Sequence, residues 1–269
     1  MRKPATKQQI ATTIGLLLAV AAAGTWWYPH IEWSYLVSRN KFKLESVKVV
    51  PMPEPKPHDG AWFQCQAAAL SFSLPPAMAD EADRTVSKTP QSLSLTTSTN
   101  EVTFFVPSEI PADQTPYVAE IAKKYGMTPF EFIAESYRTS SDDFRWTMTW
   151  SQLERYKYLL QMSGGYPHGF VFSVEYYSDP TLEGLLIIHS NKAEAMFEWR
   201  LKSGKSAGVL HLKARSGEFN FDELRSIAHS VKCDESKLGP PLTKDQIGVL
   251  ADTMKIELEP LAGSSGPRE

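Results

Sequence analysis

The sequence predicts an α+β fold: a transmembrane helix at the N-terminus, then one domain in which helices cover an antiparallel sheet. Three observations carry this. An uncharged run from Ile10 to Ile31 follows Arg2, Lys3 and Lys7. Behind it, segments of two-residue apolar alternation are separated by short turns, as antiparallel pairing requires. Among them stand helix-start signatures, Thr128-Pro-Phe-Glu131 and Thr149-Trp-Ser-Gln152, each flanked by apolar residues placed as a staple.

The opening run is 22 residues long. At about 1.5 Å per residue it reaches roughly 33 Å, enough for a hydrocarbon core of about 30 Å. It reads as a secretory signal, with Ala21-Ala22-Ala23 before a cleavage point at Gly24, as an uncleaved anchor, or as a buried helix of a soluble protein. Trp26, Trp27, Tyr28, Trp33 and Tyr35 favour the anchor, because amphipathic rings settle at the headgroup level and a cleaved signal gains nothing from them. Basic residues flank both sides, with Arg39, Lys41, Lys43 and Lys48 after the span. Those before it sit closer to its end, which puts the N-terminus inside and the main domain on the extracytoplasmic side. The expected division is a short tail (1–9), a single-pass membrane anchor (10–33), a juxtamembrane segment with a Pro-rich linker (34–60), an extracytoplasmic α+β domain (61–234) and a C-terminal tail with a short helix (235–269).

In the linker, Pro51, Pro53, Pro55 and Pro57 recur at every second position. That excludes helix and suggests an extended spacer lifting the domain from the bilayer. Residues 34 to 50 read as a helical extension or as a short strand near Leu44 to Val50. Leu70 to Leu74 alternates and stops at Pro75-Pro76, as a strand should. Ser92 to Thr97 and Glu101 to Val106 form a hairpin about Ser98-Thr99-Asn100, and the polar stretch holding Asp80, Glu81 and Asp83 reads as a loop or one helical turn.

A helix follows Pro116, with Val118, Ile121, Ala122 and Tyr125 along one face. The Thr128 box starts a second helix and the Thr149 box a third, which runs to Met162 and ends at Gly164 or Gly165. Four strands come next: Phe170 to Tyr177, Leu185 to His189, Ala195 to Leu201 and Val209 to Ala214. A last helix begins near Asn220, with Leu224, Ile227, Ala228 and Val231 inward. Beyond Gly239-Pro240-Pro241, Thr243 and Gln246 suggest a helix from Thr243 to Ile256, and Gly263 to Glu269 is expected to be disordered.

A strand ending in Leu-Pro, a hairpin, helices, antiparallel strands and a final helix reading Phe221-Asp-Glu-Leu-Arg-Ser-Ile-Ala-His-Ser-Val231 resemble the Mog1/PsbP-type α/β/α sandwich across Leu70 to Val231. The resemblance implies a central antiparallel sheet covered by helices, in a group of binding and accessory modules. That family has no shared catalytic motif, so it assigns no residue a role.

Composition excludes some functions. The chain is 42% hydrophobic and 22% charged with a net charge of −3, so it lacks the basic excess of a nucleic-acid binder. Gly204-Lys205-Ser206 is no P-loop: Trp199 stands where the first glycine belongs, and the segment joins two strands. No Gly-x-Ser-x-Gly elbow and no His-Glu-x-x-His helix occurs. His229 and Cys233 have a usable metal spacing, with Cys65 as a third candidate, but no fourth ligand is indicated, and neither metal nor cofactor is expected. Cys65 and Cys233 are instead expected to form a disulfide, since export favours it and only one pairing exists; two free thiols are the alternative.

One region suggests a site. Phe144, Trp146, Trp150, Tyr156, Tyr158 and Tyr166 fall within 23 residues and lead into a flexible turn containing His168. Aromatics with polar tips anchor partner surfaces, which makes Trp146, Trp150, Tyr156, Tyr158, Tyr166 and His168 candidate binding residues, with a role as sheet-covering core as the plainer alternative. Asp142-Asp143 reads as a capping pair rather than paired acids. His168 and His189 have no Ser or Cys at a nucleophile spacing, so no catalytic residue is assigned. The expected role is a membrane-anchored binding or accessory domain without catalysis, with a protein partner in the envelope. A hydrolase-like enzyme built from sequence-distant residues, or a structural component of an envelope complex, are the alternatives.

Overall fold

In the computed structural model the described residues are 14–16, 18–21, 24, 27–28, 30–31, 34, 47–56, 62–79, 84–88, 92–105, 107–110, 117–163, 171–239 and 257–260. The described positions between 14 and 34 are all helical. Among the described residues no helix is long and apolar enough to cross a membrane, and much of the expected anchor lies outside them.

The domain's strands are β1 (Val49–Pro51), β2 (Phe63–Ala67), β3 (Leu70–Leu74), β4 (Thr85–Lys88), β5 (Ser92–Thr96), β6 (Asn100–Phe105), β7 (Val171–Ser178), β8 (Leu182–His189), β9 (Glu194–Leu201), β10 (Ala207–Ala214), β11 (Lys232–Cys233) and β12 (Glu257–Pro260). Its helices are α1 (Pro76–Ala79), α2 (Tyr117–Lys124), α3 (Pro129–Arg138), α4 (Trp150–Ser163) and α5 (Phe221–Ser230). Eight strands form one sheet in the order β1-β7-β8-β9-β10-β6-β5-β4, and β11-β3-β2-β12 form a second. Among the described residues every strand pair is antiparallel except β1 with β7.

The helix starts behave as their sequences require. Thr128 Oγ1 accepts from Glu131 N at 3.2 Å while Glu131 Oε2 accepts from Thr128 N at 2.7 Å. Thr149 and Gln152 repeat the exchange at 2.9 and 3.3 Å. Both staples close, Met127 with Phe132 in one cluster and Met148 with Leu153 in another. On α5, Asn220 Oδ1 accepts from Asp222 N at 3.0 Å.

Packing differs from a sandwich with helices on both faces. Phe130, Ala134 and Tyr137 of α3 cover Val174, Leu185 and Ile187 on one face of the large sheet. The other face is covered by the second sheet together with α5: Phe72, Leu74, Leu224 and Ile227 share a core with Leu186, Phe197, Trp199 and Leu212. Phe72 and Phe104 meet edge to face at 5.2 Å. The β2–β3 hairpin behind this second sheet turns at Ala68 with φ +51°, a conformation usually marked by Gly, Asn or Asp, so the turn left no mark in the sequence.

The Pro-rich segment is not a free spacer. Its first part is β1, the edge strand of the large sheet, in line with the short-strand reading of that region. Val47 N donates to Tyr137 O at 2.8 Å, and Met52 N, between two prolines, donates to Tyr176 O at 2.7 Å. Farther along, His229 Nε2 donates to Pro53 O at 3.2 Å and Lys56 pairs with Asp222 at 3.0 Å. Proline at alternate positions is compatible with an edge, where only one side of the strand must donate. At the other terminus β12 docks antiparallel on β2, so the tail is tied to the domain there. The expected helix from Thr243 to Ile256 and the segment from Gly263 to Glu269 lie outside the described residues.

The expected disulfide is also corrected. Cys65 and Cys233 are both free thiols. Cys65 lies opposite Phe72 and Cys233 opposite Leu70, so β3 runs between them. Two strand spacings plus an offset of two residues put their Cα atoms roughly 11–12 Å apart, against a reach of about 7 Å for a disulfide. Burial pushes the Cys65 thiol up to about 12; burial, then Glu235 and Asp234, push Cys233 up to about 11.

Labelling of the denatured, non-reduced protein with a thiol reagent is therefore expected to find two thiols per chain, and native labelling at neutral pH to leave Cys65 unreacted. None after denaturation would restore the disulfide.

Gly184 supplies a test of the packing. A Cβ there would lie 2.5 Å from Glu198 O and 2.8 Å from the Phe197 ring. Gly184→Ala is expected to cost about 1–3 kcal/mol of stability, read as a lower urea midpoint at unchanged m-value.

Candidate functional site

The aromatic region is built on the loop that connects α3 to α4. Ser140 donates from both N and Oγ to Asp143 Oδ2, at 2.7 and 3.0 Å, closing a single 3-10 turn over Ser141–Asp143. Arg145 Nη1 donates to Phe144 O at 2.9 Å and also to Asp142 O. Asp143 is thus occupied in shaping the loop, as its reading as a cap anticipates.

Tyr156 holds this loop from below. It is 4% exposed, and its hydroxyl donates to Ser140 O and Ser141 O, each at 3.2 Å. Burial, with Asp143 and Asp142 adding to it, pushes that hydroxyl up to about 12. The Phe144 ring lies 6.1 Å from Tyr156 and meets Trp146 edge-on at 5.6 Å. Trp146 and Trp150 reach the surface, 49% and 46% exposed.

The N-terminal helical segment completes the cluster. His30, 1% exposed, stacks on Trp146 at 6.1 Å and 16°, and its Nε2 donates to Met148 O at 3.1 Å. Trp27 lies 5.8 Å from Trp146. The structure therefore unites Trp146 and Tyr156 with three residues not singled out as site residues, Trp27, His30 and Met148. Nothing in sequence spacing connects position 30 with position 148. Tyr158 belongs elsewhere: two positions along a helix turn it some 200° away from Tyr156, into the cluster of Ile121, Ala122 and Phe132, with Tyr117 edge-on at 6.4 Å. Tyr166 and His168 lie outside the described residues.

Two adjoining clefts open elsewhere, on the helix-covered side of the large sheet. One of about 380 Å³ is lined by Lys123, Met127, Glu183, Arg200 and Lys202. Its neighbour, about 400 Å³, is lined by Met127, Glu131, Arg138 and Tyr176. Tyr176 donates to Glu183 Oε2 at 3.3 Å across their boundary. Their polar lining is Lys123, Thr128, Glu183, Arg200 and Lys202 in the first and Glu131, Arg138 and Tyr176 in the second, with the Thr128 hydroxyl taken up by the cap of α3.

The remaining candidate groups have structural partners. His189 Nδ1 lies 3.8 Å from Glu194, which also pairs with Lys213 at 3.3 Å. His229, besides its bond to Pro53, meets the Tyr177 ring at 4.7 Å. Lys205, in the turn that mimics a P-loop, pairs with Glu235 at 3.1 Å. Among the described residues no three His, Cys, Asp or Glu side chains converge as a metal site.

Removing the Tyr156 hydroxyl tests whether it supports the aromatic loop. Tyr156→Phe is expected to cost about 1 kcal/mol in urea unfolding, near the net worth of a buried hydrogen bond. Its raised pKa adds a sign: this contribution is complete below pH 10 and is lost as pH rises through about 12, so the wild-type advantage over the variant should shrink there. Compared with known proteins, the chain matches no family model and no curated protein.

Proposed function

We propose that this chain is a single-pass membrane-anchored module on the extracytoplasmic side, acting by contact through its aromatic surface and without catalysis of its own. The observation that carries this reading is the joining of Trp146, Phe144 and Tyr156 to Trp27 and His30, which ties the exposed aromatic surface to the segment read as an anchor. Two half-exposed indoles, Trp146 on a loop fixed by Tyr156 and Arg145 and Trp150 at the start of α4, offer an amphipathic contact at small entropic cost. The Mog1/PsbP-type resemblance belongs to the same reading, being one to a group of accessory modules.

Alkaline carbonate extraction of membranes carrying the full chain tests it. The protein is expected to stay in the membrane pellet with its N-terminal residues retained. Release of the intact chain, or a mature N-terminus at Gly24, would overturn the anchored reading.

A further inference from the structure

We infer that Trp146 and Trp150 sit in the headgroup region of the same bilayer that the N-terminal helix enters, so that the domain lies against the membrane. This rests on the anchored reading above and names the occupant of the aromatic surface.

The argument is one of depth. Ile14, Leu16, Leu18 and Val20 lie on the helical N-terminal segment and are 52%, 67%, 66% and 62% exposed, an apolar surface that the domain leaves uncovered. Seven residues beyond Val20 is Trp27, about 10 Å further along a helix axis and at the end of the uncharged run where interfacial aromatics belong. Tyr28 beside it is 68% exposed.

The domain grips the helix at that level. Trp146 packs on Trp27 at 5.8 Å and on His30 at 6.1 Å, separations close to one helical pitch. The His30–Met148 hydrogen bond, buried with His30, fixes the register of the contact. If Trp27 is interfacial, Trp146 is interfacial to within about a turn. Trp150 opens α4 four residues on, and it too is half exposed.

The chemistry of the patch fits lipid headgroups through indole rather than through charge. Charged residues near Trp146 and Trp150 in the chain, among them Asp142, Asp143, Arg145, Glu154 and Lys157, are mixed in sign and carry none of the basic excess that draws a protein to anionic lipid. An indole pair with apolar faces and N–H tips is the side-chain type that partitions to the interface of a zwitterionic bilayer. The β1 edge strand agrees with this placement, because residues 47–56 are laid on the domain and provide no free spacer to raise it.

The test uses the full chain in phosphatidylcholine nanodiscs containing lipids brominated near the carbonyl, with Trp146→Phe/Trp150→Phe as the comparison. The emission lost in the double variant isolates these two indoles, while Trp62 and Trp199, 3% and 1% exposed, remain as unquenched core references. That difference emission is expected to be blue-shifted and reduced roughly twofold by bromolipid, with little dependence on salt. Difference emission that is untouched by bromolipid but quenched by aqueous acrylamide, in protein that still co-purifies with the disc, would overturn the inference and leave the surface to a protein partner. A chain that fails to stay with the disc would overturn the anchored reading itself. Trp150→Phe alone, read the same way, serves if the double variant loses its near-UV signal.

Discussion

Strand β8 must be buried on both faces, and the rest of the domain is arranged to meet that demand. Leu182 to Ile188 is buried throughout, Leu185 and Ile187 toward α3 and Leu182, Leu186 and Ile188 toward the second sheet and α5. A strand this apolar cannot face water on either side, so neither covering layer is optional. Its flanks follow the same rule by degrees. β9 turns Phe197, Trp199 and Leu201 into the inter-sheet core and Glu198 and Arg200 away from it, while β7 puts Val174 under α3 and Glu175 under α5.

Glu175 is the electrostatic consequence of that double burial. At 3% exposure it needs a partner, and Arg225 of α5 supplies a two-pronged one at 2.6 and 2.9 Å. Arg225 reaches Asp222 as well, and Asp222 reaches Lys56 in the proline segment. One chain of charges thus joins the large sheet, its second covering layer and the proline segment that continues from the edge strand. Such a pair adds little net stability beside an apolar substitute, but breaking it strands a buried charge, so it specifies where α5 sits more than it strengthens the core.

Much of this was legible locally. Capping boxes at Thr128 and Thr149, the proline stop after Leu74 and the alternation from Val171 to Ala214 all act within a few residues, and each appears where the pattern puts it. What escaped is non-local or unmarked. The Ala68 turn carries no glycine, so β2 was hidden beside the linker. Prolines at 51 and 53 argue for a spacer unless β7 is known to wait alongside. The disulfide failed because the register that sets β3 between two cysteines is a property of pairing, not of composition. At the candidate site, the density of aromatics located the loop. It could not separate Tyr156, which holds it, from Trp146, which is presented by it, or reveal His30 as the group beneath.

The pairing of both ends of the domain with distant strands has a consequence for how the protein is made. Val49 lies beside Val174, and Cys65 lies beside Leu258 of the last strand. A ribosome delivers the early partners first, and at about 5–20 residues per second the outer edge of β2 waits on the order of ten seconds for its cover. Through that interval β2 keeps an open edge able to pair with a neighbouring nascent chain. A polypeptide that stops before Glu257 never closes that edge. Translation arrest near the end of the message thus leaves a nearly complete domain edged by β2 in place of the short, acidic, proline-ended β12, a natural mark for quality-control proteolysis.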